Sequence, residues 1–174
     1  MRRLVEIGAV QQHHAGFTLV NPHKALTSLC AARSVMSDAI AVVTLSPSDR
    51  DSIEAALGPD IIIGGASAAV ELLGGVNTVS DFSEHLLYLR DDDTVEICTN
   101  MLGEMNPERH TGYGHDRGNV TFLSLDARAA RVWRSHASFA QTYADLFVTP
   151  GWQASEFRLA LHERFFGTRD WDQQ

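Results

Sequence analysis

"PDIIIGGASAAVELLGG", residues 59–75, decides the fold class. Ile61, Ile62 and Ile63 form an apolar run too short for a helix and too continuous for a strand with one wet face. The run predicts a strand over 60–63, covered on both sides. Gly64 and Gly65 end it. Small and apolar residues then recur through 66–73, which predicts a helix closed by Gly74 and Gly75.

The same grammar lies just upstream. "AIAVVTL" (39–45) is a second continuous apolar run, and Ser46 or Ser48 can cap the helix "PSDRDSIEAALG" that stops at Gly58. Residues 39–75 therefore read β-α-β-α, and the chain is expected to be α/β, a mixed sheet with helices.

Working outward, Leu4–Val10 and Phe17–Val20 read as two short strands around the polar turn "QQHHAG". Asn21 then serves as an N-cap with Pro22 at the first helical position. The helix runs to about Ser37, with Ala25, Leu26, Leu29, Cys30, Ala32 and Met36 on its buried side. "HLLYLRDDDTVEICTN" reads as a hairpin: strand 85–89, a tip at Asp91–Asp93, strand 94–99. Residues 101–118 hold four glycines and no sustained period, which predicts a long loop. A strand at 119–126 leads into a long helix, Ala127 to about Phe147. Val132, His136, Phe139, Ala140, Tyr143 and Phe147 share one of its faces. Thr149 and Pro150 restart the chain into a last helix with Phe157, Ala160, Leu161 and Phe165 inward, followed by a flexible polar tail at 167–174.

The composition limits the function. With 174 residues and 44% hydrophobic content, the chain can build one domain with a sizeable core. No apolar run approaches the roughly 20 residues of a membrane span, and Glu6 interrupts any signal-like core, so a cytoplasmic protein without a membrane partner is expected. A net charge of −8 repels a phosphate backbone. Any DNA contact must then be local, and Arg2 and Arg3 are the paired basic residues for it. Cys30 and Cys98 lack CxxC spacing and read as buried free thiols.

Candidate chemistry is sparse. His13 and His14 face opposite ways if extended. His110, His115 and Asp116 can be drawn as a zinc site, but a polar loop with solvent-facing histidines is the default, and neither metal nor cofactor is expected. His162 and Glu163 lack HExxH spacing. Ser67 lacks the second glycine flank of a nucleophile elbow. The best-placed ligand groups are Arg109, His110, His115 and Arg117, where a glycine-rich loop with two arginines could grip an anion.

A strand that ends in a glycine pair and passes straight into a helix resembles polymerase-beta-like nucleotidyltransferases. There the helix presents N–H groups to a triphosphate. A strand about a dozen residues later carries two carboxylates, one residue apart, that hold magnesium. Here Gly64, Gly65 and Ser67 stand at the glycine element and Asp81 at the first acid, but its partner position is Ser83, a hydroxyl. Glu84 faces the other side of an extended stretch, and Glu96 has no site to complete. The nucleotide site therefore reads as degenerate, with the turn kept for close helix–strand packing.

The whole order of elements resembles AbiEi-family antitoxins, the transcriptional regulators of type IV toxin–antitoxin systems. "AGFTLVNPHKAL" (15–26) is similar to their wing-to-helix stretch, "GGASAAVELLG" (64–74) to their glycine helix, and "NVTFLSLD" (119–126) to a late strand. "SFAQTYADLFVTPGWQASEFRLALHERF" (138–165) is similar to their closing helix pair, with Gln141, Tyr143, Asp145, Leu146, Gly151, Glu156 and Phe157 in place. The resemblance implies a wing remnant over 1–21 and a degenerate nucleotidyltransferase-like domain over 22–166. Gln141 and Tyr143 would anchor a helix to the sheet, Leu146 and Phe147 would fill the core, and Gly151 would permit a bend. The implied function is a non-catalytic antitoxin and regulator in a toxin–antitoxin or phage-defence setting. Its partners would be a cognate toxin, a second copy, and promoter DNA if a full winged helix precedes the wing. Two alternatives are a magnesium-dependent nucleotidyltransferase using Asp81, Glu84 or Glu96, and an interaction module pairing its wing with a partner strand.

Overall fold

The chain begins as a helical turn where a strand is expected. A computed structural model describes residues 2–76, 84–111 and 118–167. Helix α1 (Arg2–Glu6) is closed by backbone bonds from Ile7 to Arg3 and from Ala9 to Leu4, and Gly8 takes φ +69°. Only then does the hairpin start: β1 (Val10–His13) pairs antiparallel with β2 (Gly16–Leu19). The expected first strand, Leu4–Val10, is thus displaced, because glycine at positive φ turns the chain out of the helix at Gly8.

Asn21 caps α2 (Pro22–Ala32) as expected, its side chain accepting from the Lys24 amide. The helix stops at Arg33, short of Ser37. Arg33 takes an extended backbone, and α3 (Val35–Asp38) follows as a separate turn. Next come β3 (Ala39–Thr44), α4 (Pro47–Leu57), a 3-10 turn (Gly58–Asp60), β4 (Ile61–Gly64) and α5 (Gly65–Leu72), in the β-α-β-α order of the sequence reading.

Strand β5 (His85–Leu89) is present, but its expected hairpin partner is helix α6 (Asp92–Met105). The acidic stretch is a helix start. Asp91 caps it by accepting from the Thr94 amide at 2.9 Å and the Thr94 hydroxyl at 2.6 Å, and Asp92 and Asp93 sit where the helix dipole favours acids. Buried Thr94, Cys98 and Leu102 recur at four-residue spacing. Much of the expected 101–118 loop is therefore ordered: α6 runs to Met105, Asn106 closes it in a left-handed conformation, and β6 (Glu108–Arg109) follows.

After β7 (Val120–Ser124), the expected long helix is two helices, α7 (Ala127–Val132) and α8 (Phe139–Val148). The chain between them pairs with the open edge of β4. Ile63 donates to the Ser135 carbonyl and accepts from the Ala137 amide. An uncovered strand edge wants partners, so His136 lies in a β-bridge and not on a helix face. The last helix, α9 (Trp152–Phe166), buries Phe157 and Leu161. Phe147 and Phe165 correct the expectation that both turn inward: they are 49% and 47% exposed, with Arg158 over the Phe147 ring.

The five-stranded sheet has the order β4-β5-β7-β3-β6; β5 and β7 run parallel and the other pairs antiparallel. Alternation along β5 sorts the core. Leu87 and Leu89 join Ile53, Leu57, Cys98 and Leu102 beneath α4 and α6, while Leu86 and Tyr88 face the opposite side with Val35, Leu123 and Ala137. On that second side α5, α8 and α9 pack around Leu146 and Phe157, and α2 packs on α8 through Leu26 and Cys30.

Two predictions follow from this core. Asn119 imitates a sheet rung, its side chain accepting from the Leu45 amide at 2.9 Å and donating to the Leu45 carbonyl at 2.8 Å. Asn119→Ala strands both groups beside a 4% exposed leucine and should cost about 1–3 kcal/mol in urea unfolding. Burial also pushes the Cys98 thiol up to about 12 and raises Cys30. Thiol reagents in mild alkali should label neither cysteine until the protein unfolds, and both at once in denaturant. Prompt labelling of the native chain would contradict their placement.

Candidate functional site

The glycine turn meets a buried polar cluster at one side chain, Tyr88. Gly64 lies opposite Leu86 in the β4–β5 ladder. A Cβ at Gly64 would sit 2.7 Å from Cε2 of Tyr88 and 3.3 Å from Cβ of Leu86. Gly65 takes φ +56°, and a Cβ there would lie 3.0 Å from Cδ1 of Leu86. The two glycines thus let the start of α5 close onto β5. Ser67 is half-buried in the first turn of that helix. Strand β5, the one paired to the turn, reads His-Leu-Leu-Tyr-Leu and holds no carboxylate.

The Tyr88 hydroxyl reaches into the cluster. It donates to Oδ2 of Asp145 at 2.7 Å and accepts from Arg33 Nη2 at 3.0 Å and Gln141 Nε2 at 3.1 Å. Arg33 Nε donates to Oδ1 of Asp145 at 2.7 Å, and Gln141 Nε2 donates to the same oxygen at 2.9 Å. Arg33 also pairs with Asp38 through Nη1. The Asp145 side chain is 0% exposed and that of Arg33 6%. Burial pushes the Asp145 carboxyl up, against the pull of Arg33 and the hydrogen bonds from Tyr88 and Gln141. Burial works most strongly against the charge of Arg33, but Asp145, Tyr88 and Asp38 together outweigh it and keep the guanidinium protonated. Burial, then Asp145, raises the Tyr88 hydroxyl. Donors within the protein occupy both Asp145 oxygens, so the cluster ties the end of α2 to β5 and α8.

A second polar contact lies at the other end of β5. Arg50 of α4 meets His85 Nε2 at 2.7 Å. Burial, then Arg50, lowers the His85 pKa from its ordinary 6.5. The folded state therefore favours neutral His85. Its contribution to stability is complete above 6.5 and is lost as pH falls below that value. Thermal melts across mildly acidic pH should show this loss, and His85→Gln should flatten that part of the profile.

The remaining candidates lie apart. Arg109 and His110 sit at the outer sheet edge, where the His110 amide donates to Val42 and its ring meets the Thr44 hydroxyl at 2.9 Å. Asp81, His115, Asp116 and Arg117 fall outside the described residues. Glu96 is exposed on α6, a helix across the sheet from the glycine turn. Arg2 pairs with Glu6 at 2.9 Å on α1, and Arg3 is exposed beside it. Tyr143 packs near Phe139, their ring centroids 6.0 Å apart, and Gly151 takes φ +113° at the entry to α9. Among the described residues no group of three or more His, Cys, Asp or Glu side chains is placed to hold a metal ion. Nor is any helix there long and apolar enough to cross a membrane.

Sequence reasoning singled out Gln141 and Asp145 but missed Arg33 and Tyr88. Arg33 reads as one more polar position on a helix, and the period-2 pattern of "HLLYL" gives Tyr88 only a face. The fold and site together define an α/β domain led by a two-stranded hairpin. Comparison with known protein families, curated proteins and solved structures finds no match.

Proposed function

We propose that this protein is a non-catalytic regulator of the toxin–antitoxin kind, an AbiEi-like antitoxin whose nucleotidyltransferase-like core serves as a scaffold. The observation that carries the reading is the glycine turn. In the nucleotidyltransferase likeness this turn takes the part of a triphosphate-binding loop; here Gly64 and Gly65 pack against Tyr88 and Leu86 on a strand without carboxylates. A two-metal site needs paired acids next to that turn. The leading segment supports the regulator side: a helical turn bearing Arg2 and Arg3 enters a two-stranded hairpin that runs straight into α2, the order of a recognition helix followed by a wing.

The test is co-expression of the chain with the product of the adjacent reading frame. Growth should be restored, and restored equally by Asp81→Ala and Glu96→Gln chains, while the purified protein incorporates no labelled nucleotide with magnesium. Incorporation that Asp81→Ala abolishes would establish the enzyme instead. An interaction module is the second reading, favoured by the 51% and 55% exposure of Phe17 and Leu19 on β2. A stable complex with that adjacent product, with no affinity for promoter DNA, would select it.

A further inference from the structure

The groove between the hairpin and the helical layer is a second candidate site, independent of the regulator reading. Leu4 and Leu19 wall it on the hairpin side, and Ala25, Leu29, Phe139 and Phe166 on the other. Its volume is about 390 Å³, within the range of roughly 300–1,000 Å³ typical of small-molecule sites, which favour boundaries between structural units. Among the described residues Ser28 supplies the only polar side chain of the lining. A polar ligand body would find few partners there, so the body must be apolar.

Two histidines stand beside Phe166, one of the residues that line the groove. The rings of His23 and His162 stand against Phe166, at 6.4 Å and 5.1 Å, and 5.8 Å from each other. Neither imidazole has a hydrogen bond or ion pair among the described residues. Charge gives the sign of the ligand. Residues 1–32 hold Arg2, Arg3 and Lys24 against the single acid Glu6, while the whole chain is −8. This stretch is net positive in an acidic molecule. A second copy docked here symmetrically would set that positive segment against itself.

We propose that the groove binds an aliphatic carboxylic acid, its chain between the hairpin and α2, its carboxylate accepting N–H donors from His23 and His162. Such a ligand touches both units. The Val20 and Asn21 amides both donate to the Ala9 carbonyl just before β1, bonds that close the hairpin on itself and not on the body. Occupancy would therefore fix the hairpin on the body.

The test is calorimetry of the full chain with decanoate, decanol and decylamine. Decanoate should bind saturably, one per chain, and more tightly than the alcohol or the amine. Ala25→Trp and Ser28→Phe, which fill the groove by different walls, should each weaken it by about tenfold or more. His23→Ala with His162→Ala should weaken decanoate while leaving decanol unchanged, and Ile97→Ser on α6 should change nothing. Absence of saturable heat, wild-type affinity retained in both filled variants, or equal affinity for the three ligands would overturn the proposal. So would a dimer in light scattering that Leu29→Asp dissociates, which would make the groove an interface between copies.

Discussion

Arg33→Met should destabilise the protein by about 3–5 kcal/mol, because removing one partner leaves a buried charge uncompensated. The partner left behind is Asp145, with a side chain 0% exposed. Methionine roughly fills the space but donates nothing to Oδ1, and Tyr88 and Gln141 cannot replace the lost charge. The double variant Arg33→Met with Asp145→Leu should recover much of the loss, since an apolar pair of similar volume tolerates burial better than half an ion pair. Urea unfolding of the two singles and the double measures this coupling. A double variant no more stable than Arg33→Met would mean that the cluster contributes through shape and not through its charges.

Gly64→Ala should be the other costly change. Overpacking a well-filled core typically costs about 1–3 kcal/mol. The clash here is with Tyr88, whose ring is 2% exposed and whose hydroxyl is held by Arg33, Asp145 and Gln141. The ring cannot retreat without loosening those bonds, so the penalty should fall at the upper end of that range. In a Tyr88→Val background the added methyl finds room, and the penalty should shrink markedly. A glycine kept for triphosphate would behave differently: alanine would spare stability, and Tyr88→Val would not rescue it.

Much of this fold was legible in the chain. The buried strands at 39–45 and 60–63 declared themselves by continuous apolar runs, and the caps at Asn21 and Ser46 formed where the residue types required. The misreadings share one physical cause, a local pattern overruled by distant partners. "TVEICTN" alternates well enough for a strand, yet the four-residue spacing of Thr94, Cys98 and Leu102 matches the core beneath α4. The helical stripe through Val132 and His136 is broken because β4 needs a neighbour at Ile63. The cluster was half legible. Gln141 and Asp145 stood out in the stretch similar to the antitoxins' closing helix pair, but nothing near Arg33 says that it crosses to meet them. Only the arrest of α2 at Ala32 brings it there.

If the Gly64–Gly65 turn serves packing, as proposed, the core should bind no nucleotide through magnesium. Calorimetric titration of the intact chain with each nucleoside triphosphate at millimolar concentration, with and without magnesium, tests it most directly. No saturable heat is expected under either condition. Magnesium-dependent binding that disappears in Asp81→Asn would contradict it.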